Sequence, residues 1–123
     1  MNITITPRLL SGSVHAIPSK SYAHRFLICA AFADSPCELI CPETSDDIEA
    51  TVACLTALGA TIQRTEQGYR VFPATDIPSH VKINCHESGS TLRFLLPVIG
   101  ALDVSATIVM EGGLSQRPLS PLW

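Results

Sequence analysis

Charge is scarce in this chain: only 15% of the 123 residues are charged, eight of them lysine or arginine, and the formal net charge is −3. That balance gives no global attraction for nucleic acid or an anionic membrane, so an anionic ligand must be held by a local cluster of those few cations. Long apolar runs are missing too, none reaching the roughly 18 residues of a membrane span. Met1 to Leu10 alternates polar and apolar residues instead of placing a basic segment ahead of an apolar one, so no export signal is read. Cysteine comes in an odd number, five (Cys29, Cys37, Cys41, Cys54 and Cys85), which without an export signal favours reduced thiols in a cytoplasm. Cys37 and Cys41 have no matching second pair, and His86 beside Cys85 does not supply one, so zinc is rejected.

What is present is a packable chain. Hydrophobic residues make up 46%, far from the composition of disordered segments, and the length suits one hydrophobic core. Ile3 and Ile5 in Asn2 to Thr6, and Val14 and Ala16 in Ser13 to Ile17, fall on single faces and predict two short opening strands. Pro18 ends the extended stretch. Ser19 then caps a helix to about Ala33, with Tyr22, Phe26, Cys29 and Ala30 expected on its buried stripe. Cys37 to Cys41 reads as a short buried strand. Thr44-x-x-Asp47 reads as a capping box opening a second helix that buries Ile48, Val52, Leu55 and Leu58.

Gly59 stops that helix in a left-handed position, and Thr61 to Thr65 and Tyr69 to Phe72 flank Glu66-Gln67-Gly68 as a hairpin. From Val81 the order begins again: a strand to Cys85, a helix from Gly89 to Ala101 with Pro97 bending or dividing it, and a strand from Val104 to Met110. After the turn Glu111-Gly112-Gly113, Pro118 is placed to open another helix. The expectation is a mixed α/β fold with one complete βαβαββ unit and a second cut short. A unit lacking its last helix and hairpin leaves sheet unpaired and uncovered, which predicts a truncated chain. The competing expectation is a small domain with an irregular tail.

The cations are placed unusually. Ser19-Lys20-Ser21-x-x-x-Arg25 sits at a helix amino terminus, where free N–H groups and the dipole favour an anion. Ser21 and Arg25, four residues apart, share a face and suit one carboxylate or phosphate; a serine cap followed by solvated basic residues is the plain alternative. Glu87-Ser88-Gly89-Ser90-Thr91-Leu92-Arg93 repeats the device at another helix start, with Gly89 letting a ligand reach the backbone. Arg117, in Gln116-Arg117-Pro118, precedes a third predicted helix. Cations at helix amino termini oppose the dipole, so their repetition points to a surface built for several negative charges on a small, phosphorylated ligand. Asp46 and Asp47 agree with the dipole and suit capping as well as acid or base chemistry.

Pro18-Ser19-Lys20-Ser21-x-x-x-Arg25, Ser45-Asp46-Asp47, Glu87-Ser88-Gly89-Ser90-Thr91-Leu92-Arg93 and Gln116-Arg117-Pro118 resemble, in order, the motifs of the EPSP synthase family of enolpyruvyl transferases. The resemblance spans nearly the whole chain. It implies the βαβαββ units of that family's alpha-beta prism, with residues 1–17 as opening strands, 18–123 as part of a substrate-gripping domain, and the second domain absent. It also implies transfer of the enolpyruvyl group of phosphoenolpyruvate to the 5-hydroxyl of shikimate 3-phosphate by addition and elimination, with release of phosphate.

By the same resemblance Lys20, Ser21 and Arg25 are expected to contact shikimate 3-phosphate, and Lys20, Gly89, Ser90, Arg93 and Arg117 phosphoenolpyruvate. Lys20 and Asp47 are the catalytic candidates. Glu87 stands where many members carry asparagine and Ser90 where many carry threonine; Glu87 is expected either to turn away or to pair with a cation such as Arg93. No cofactor and no metal are implied, nor nucleic-acid or membrane partners, and the setting is cytoplasmic. The main proton-transfer groups of the family lie in its other domain, so this chain by itself is expected to be inactive, and self-association over its open sheet is left open. Two rivals stand beside this. The UDP-N-acetylglucosamine enolpyruvyl transferases typically follow the lysine with asparagine where Ser21 stands. An RNA-binding βαβαββ domain is disfavoured by the acidic balance and the lack of interleaved surface aromatics.

Overall fold

The computed structural model describes residues 2–119. In chain order it forms α1 (Lys20–Ala31), β1 (Cys37–Ile40), α2 (Asp46–Ala57), β2 (Thr61–Thr65), β3 (Gly68–Phe72), β4 (His80–Asn84), α3 (Gly89–Ala101), β5 (Ser105–Val109) and a 3₁₀ turn over Gly112–Gln116. β3 is the centre of a three-stranded antiparallel sheet, flanked by β1 and β2. β4 and β5 form a separate parallel pair, and the parallel pairing requires a crossover, which α3 supplies. The mixed α/β class expected from the sequence is the one found.

Local chemistry accounts for these boundaries. Ser45 caps α2 through a bond from Ile48 N–H at 3.4 Å, and Ser88 caps α3 through one from Thr91 N–H at 3.3 Å. Gly59 takes φ 105° just past α2, where Ala60 N–H reaches back to Leu55 C=O at 3.1 Å. Glu66 and Gln67 close the β2–β3 hairpin, with Thr65 paired to Gly68. At Gly68 only glycine fits, because a Cβ there would lie inside the backbone of Leu39 and Cys41. The helices cover both sheets, and Leu27, Leu55, Leu58, Val71, Cys85 and Leu95 are completely enclosed between them. Apolar area removed from water at about 25 cal/mol per Å² is what holds the layers together.

Several expectations are corrected. Neither Asn2 to Thr6 nor Ser13 to Ile17 forms a strand; Ile3, Ile5, Val14 and Ile17 are all exposed. Alternation marks a face that can be buried, but a strand also needs a ladder partner, and none of the described strands pairs with these residues. The first unit therefore lacks its opening strand and reads α1-β1-α2-β2-β3.

α1 ends at Ala31, and its inner face is Ala23, Leu27, Ala30 and Ala31 with His24, while Tyr22, Phe26 and Cys29 point outward. Small residues let the α1 axis approach its neighbours closely, and this outweighs the larger aromatic stripe one residue round the helix. Ser45, not Thr44, caps α2; the Thr44 hydroxyl instead donates to Glu49 Oε1 at 2.6 Å and meets the Tyr69 hydroxyl at 2.7 Å. β1 alternates half-buried and exposed instead of being buried, and Val52 is only half-buried. Pro97 leaves α3 undivided. The helix expected from Pro118 falls mostly on residues 120–123 and lies outside the described residues. Among the described residues no helix is long and apolar enough to cross a membrane.

Candidate functional site

α1, α2 and α3 bring their amino-terminal turns together, and three of the four motifs sit on those turns. Lys20 is the first residue of α1, Asp47 the second of α2, and Gly89 the first of α3. Lys20 Nζ donates to Asp47 Oδ2 at 2.9 Å, so the two catalytic candidates form an ion pair. Both side chains keep substantial exposure, which holds such a pair to about 1 kcal/mol or less and leaves Lys20 able to exchange partners.

Arg25 folds back on α1: its guanidinium donates to the Ser21 carbonyl at 2.8 Å and to the Ser21 hydroxyl. The expected Ser21–Arg25 face is thus formed. The guanidinium also lies 4.5 Å from the centre of the Phe94 ring, so this α1 cation rests on α3. On α3, Arg93 reaches three carbonyls, those of Gly89 at 3.3 Å, Pro118 at 2.9 Å and Leu119 at 3.3 Å. A Cβ at Gly89 would meet Arg93 Nη1 at 2.6 Å, so glycine is what lets the guanidinium lie against the start of its own helix. Arg93 is thereby tied to the residues following Arg117. Ser90 and Arg117 are exposed.

Glu87 turns away from Arg93. Its Oε1 accepts from Gly113 N–H at 3.1 Å, and its carboxylate occupies the space where a Cβ on Gly112 would lie, at φ 52°. Beside it Glu111 accepts from Asn84 Nδ2 at 2.6 Å and pairs with His86 Nδ1 at 3.1 Å. The bonds from Asn84 and then His86 hold the Glu111 carboxyl below the usual range. These contacts latch the turn leading to Arg117 onto the loop leading to Gly89. On the same flank a cleft of about 720 Å³ is lined by Asp46, Asp47, Glu49, Glu87 and Glu111. Its carboxylates disfavour a polyanion there, and the cations Arg25 and Arg93 lie on the side where α1 rests on α3.

Beneath that surface, His24 and Thr51, which the sequence reading did not single out, join Ser88 and Thr91 of the opening motif of α3. His24 Nδ1 meets Thr51 Oγ1 at 2.7 Å, Thr51 Oγ1 meets Thr91 Oγ1 at 2.7 Å, and the Thr91 hydroxyl donates to Ser88 Oγ at 2.7 Å. Burial, the largest influence, lowers the His24 pKa; Asp47 raises it, and Lys20 and Arg25 lower it further. The signal available in the sequence was a polar residue on each apolar stripe: Thr51 between Ile48 and Leu55, and Thr91 one turn before Leu95.

A family model described as EPSP synthase (3-phosphoshikimate 1-carboxyvinyltransferase) matches residues 5–123. Among curated proteins, the 3-phosphoshikimate 1-carboxyvinyltransferase of Clostridium beijerinckii is 41% identical over 127 aligned residues, covering 96% of this chain and 29% of the relative. Those of Clostridium kluyveri and Clostridioides difficile are each 37% identical over 96% of the chain, which spans 28% and 30% of their lengths.

Proposed function

The chain belongs to the EPSP synthase family of transferases, and from that premise we propose that it carries the part of the enzyme that grips both anionic substrates of enolpyruvyl transfer in aromatic amino acid biosynthesis. Shikimate 3-phosphate is held by Lys20, Ser21 and Arg25, and phosphoenolpyruvate by Lys20, Gly89, Ser90, Arg93 and Arg117, with residues 18–123 forming part of the substrate-gripping domain. The observation that carries this reading is the meeting of three helix amino termini around Lys20, with Arg25 stacked across to Phe94 of α3. Two mutually repelling polyanions placed side by side need such a concentration of fixed positive charge and free N–H groups.

Addition joins the 5-hydroxyl oxygen to C2 of phosphoenolpyruvate with net transfer of the hydroxyl proton to C3, and elimination then expels phosphate from C2 as C3 gives a proton up. Lys20 and Asp47 act here as a charge pair that opens when the substrate carboxylate or phosphate takes the lysine. Holding the reactants at near-attack distance is a large share of the barrier, and this surface is suited to that share. The two proton transfers need further acid and base groups, and the chain spans about 29% of its Clostridium beijerinckii relative. By itself it therefore releases no measurable phosphate from the two substrates. No nucleic acid enters this reading, and Tyr22 and Phe26 stand exposed on α1, away from the cationic residues' hydrogen bonds.

Calorimetric titration of the chain with each substrate tests the assignment. Arg25→Ala should weaken shikimate 3-phosphate about tenfold or more while sparing phosphoenolpyruvate, and Arg93→Ala should do the reverse, the size of a lost charge-assisted hydrogen bond. Tighter binding of UDP-N-acetylglucosamine than of shikimate 3-phosphate would move the chain to the rival enolpyruvyl transferase chemistry.

A further inference from the structure

His24, Thr51, Ser88 and Thr91 are the buried polar side chains among the described residues, and all four belong to one hydrogen-bonded chain. Four apolar side chains of similar shape would fill the same space without the desolvation cost of hydroxyls and an imidazole, so adhesion alone does not account for them. Their placement does. His24 lies one turn after Lys20 and next to Arg25; Thr51 lies one turn after Asp47; Thr91 is next to Ser90 and two residues before Arg93. The Asp47 carbonyl lies close by as well, 3.2 Å from Thr91 Oγ1 and 3.4 Å from Thr51 Oγ1, longer than the 2.7 Å links that take the two hydroxyl protons. Each member is thus within a turn of a residue on the cationic surface, and the links cross from α1 to α2 to α3.

We propose that the His24–Thr51–Thr91–Ser88 chain is a positioning device that fixes the Lys20–Ser21–Arg25 face of α1 against the Gly89–Ser90–Arg93 face of α3, with the Asp47 backbone lying between them. The ligand-gripping role of those two faces rests on the function proposed above; the positioning itself does not. Hydrogen bonds are directional where apolar packing is not, so the chain selects one relative setting of three helices that could otherwise slide. Its direction follows from its end: the Thr91 hydroxyl proton goes to Ser88, so Thr51 donates to Thr91 and His24 donates from Nδ1 to Thr51. The neutral ring is therefore the Nδ1–H tautomer, and the groups facing it are Lys20 and Arg25 on α1, Asp47 and Thr51 on α2, and Phe94 on α3.

Nuclear magnetic resonance of the ¹⁵N-labelled full chain tests this without needing a ligand. The ring-nitrogen shifts of His24 should report a protonated Nδ1 and a bare Nε2 above neutral pH. Thr51→Val keeps the shape and removes the hydroxyl; it should move the amides of Gly89 and Ser90, across the helix boundary, as well as those of Lys20 and Ser21. Thr51→Ser should restore all of them. If Thr51→Val does not fold, Thr91→Val removes the next link and should move Lys20 and Ser21 in the same way. An Nε2–H tautomer, or a folded variant whose shifts stay within its own helix, overturns the proposal. Titration of the same samples with shikimate 3-phosphate separates the two claims. Weakening of roughly tenfold in Thr51→Val with rescue in Thr51→Ser supports both. A wild-type chain that binds neither substrate removes the functional reading, while the tautomer and amide shifts still decide the positioning.

Discussion

The region before Phe72 and the region after His80 carry similar cationic turns on differently built supports. In the first, three antiparallel strands lock backbone against backbone, and the hairpin is so close that Gly68 has no room for a methyl group. In the second, two parallel strands are joined through α3, and the turn leading to Arg117 is held largely by side chains, Glu87 on Gly113 and Asn84 with His86 on Glu111. The charges differ in the same sense. Lys20 in the first region is neutralised by a carboxylate, whereas Arg93 in the second meets only carbonyls among its hydrogen-bond acceptors. The lesson is that one of the two proposed anion-binding faces is a platform fixed by backbone whose lysine has a displaceable counter-ion, and the other is an arm held by side chains.

The largest expected effect breaks the platform. Gly68→Ala places a Cβ against the Leu39 carbonyl and the Cys41 amide, neither of which can rotate away, and should cost on the order of 3 kcal/mol in urea unfolding. Gly112→Ala probes the arm: its Cβ meets a flexible carboxylate at φ 52°, so the cost should be smaller, about 1–2 kcal/mol. Glu87→Ala in the same chain should recover part of that loss. Equal costs for the two glycine substitutions would remove the contrast between backbone and side-chain support.

The pH dependence sharpens the picture at the boundary between the regions, where His24 sits. Its folded pKa lies below the ordinary 6.5, so the neutral ring is the folded form. The unfolded state binds the extra proton first; the stabilisation is complete above about pH 6.5 and is lost progressively as pH falls below it. Glu111, also depressed, adds a loss that begins only below its ordinary 4.5. Thermal unfolding followed from pH 7.5 to pH 5 should therefore decline in the wild type, and His24→Gln should flatten that decline. The smallest effect concerns the counter-ion: Asp47→Asn should change stability by about 1 kcal/mol or less, as an exposed pair does. The same change should tighten binding of a simple anion such as inorganic phosphate near Lys20.

Much of this was legible in the sequence because local signals were strong. α3 runs over the expected Gly89–Ala101, and the hairpin and the Gly59 stop fall where turn chemistry placed them. The opening strands were not legible, because alternation in Ile3, Ile5 and Val14 specifies a face without specifying a partner. The inner face of α1 was misread because a helix carrying Tyr22, Phe26 and Cys29 beside Ala23, Leu27 and Ala30 offers two stripes, and only the packing partner chooses between them. The cations and Asp47 could be named from their motifs, but the Lys20–Asp47 pair spans 27 residues and the Thr51–Thr91 link spans 40, distances over which a single sequence carries no pairing signal. Glu87 could be singled out as a departure, yet its destination, the Gly113 amide, depends on where the second region's turn folds back.

The central claim, that the amino-terminal turns of α1 and α3 form one surface for two small anions, is tested most directly by mapping amide shifts while the full chain is titrated with shikimate 3-phosphate and then phosphoenolpyruvate. The account predicts saturable shifts at Lys20 and Ser21 with the first ligand, added shifts at Gly89 and Ser90 with the second, and no response at Glu49 or Glu111 on the acidic flank. Shifts centred on that acidic flank, or none at the two turns at millimolar ligand, would contradict it.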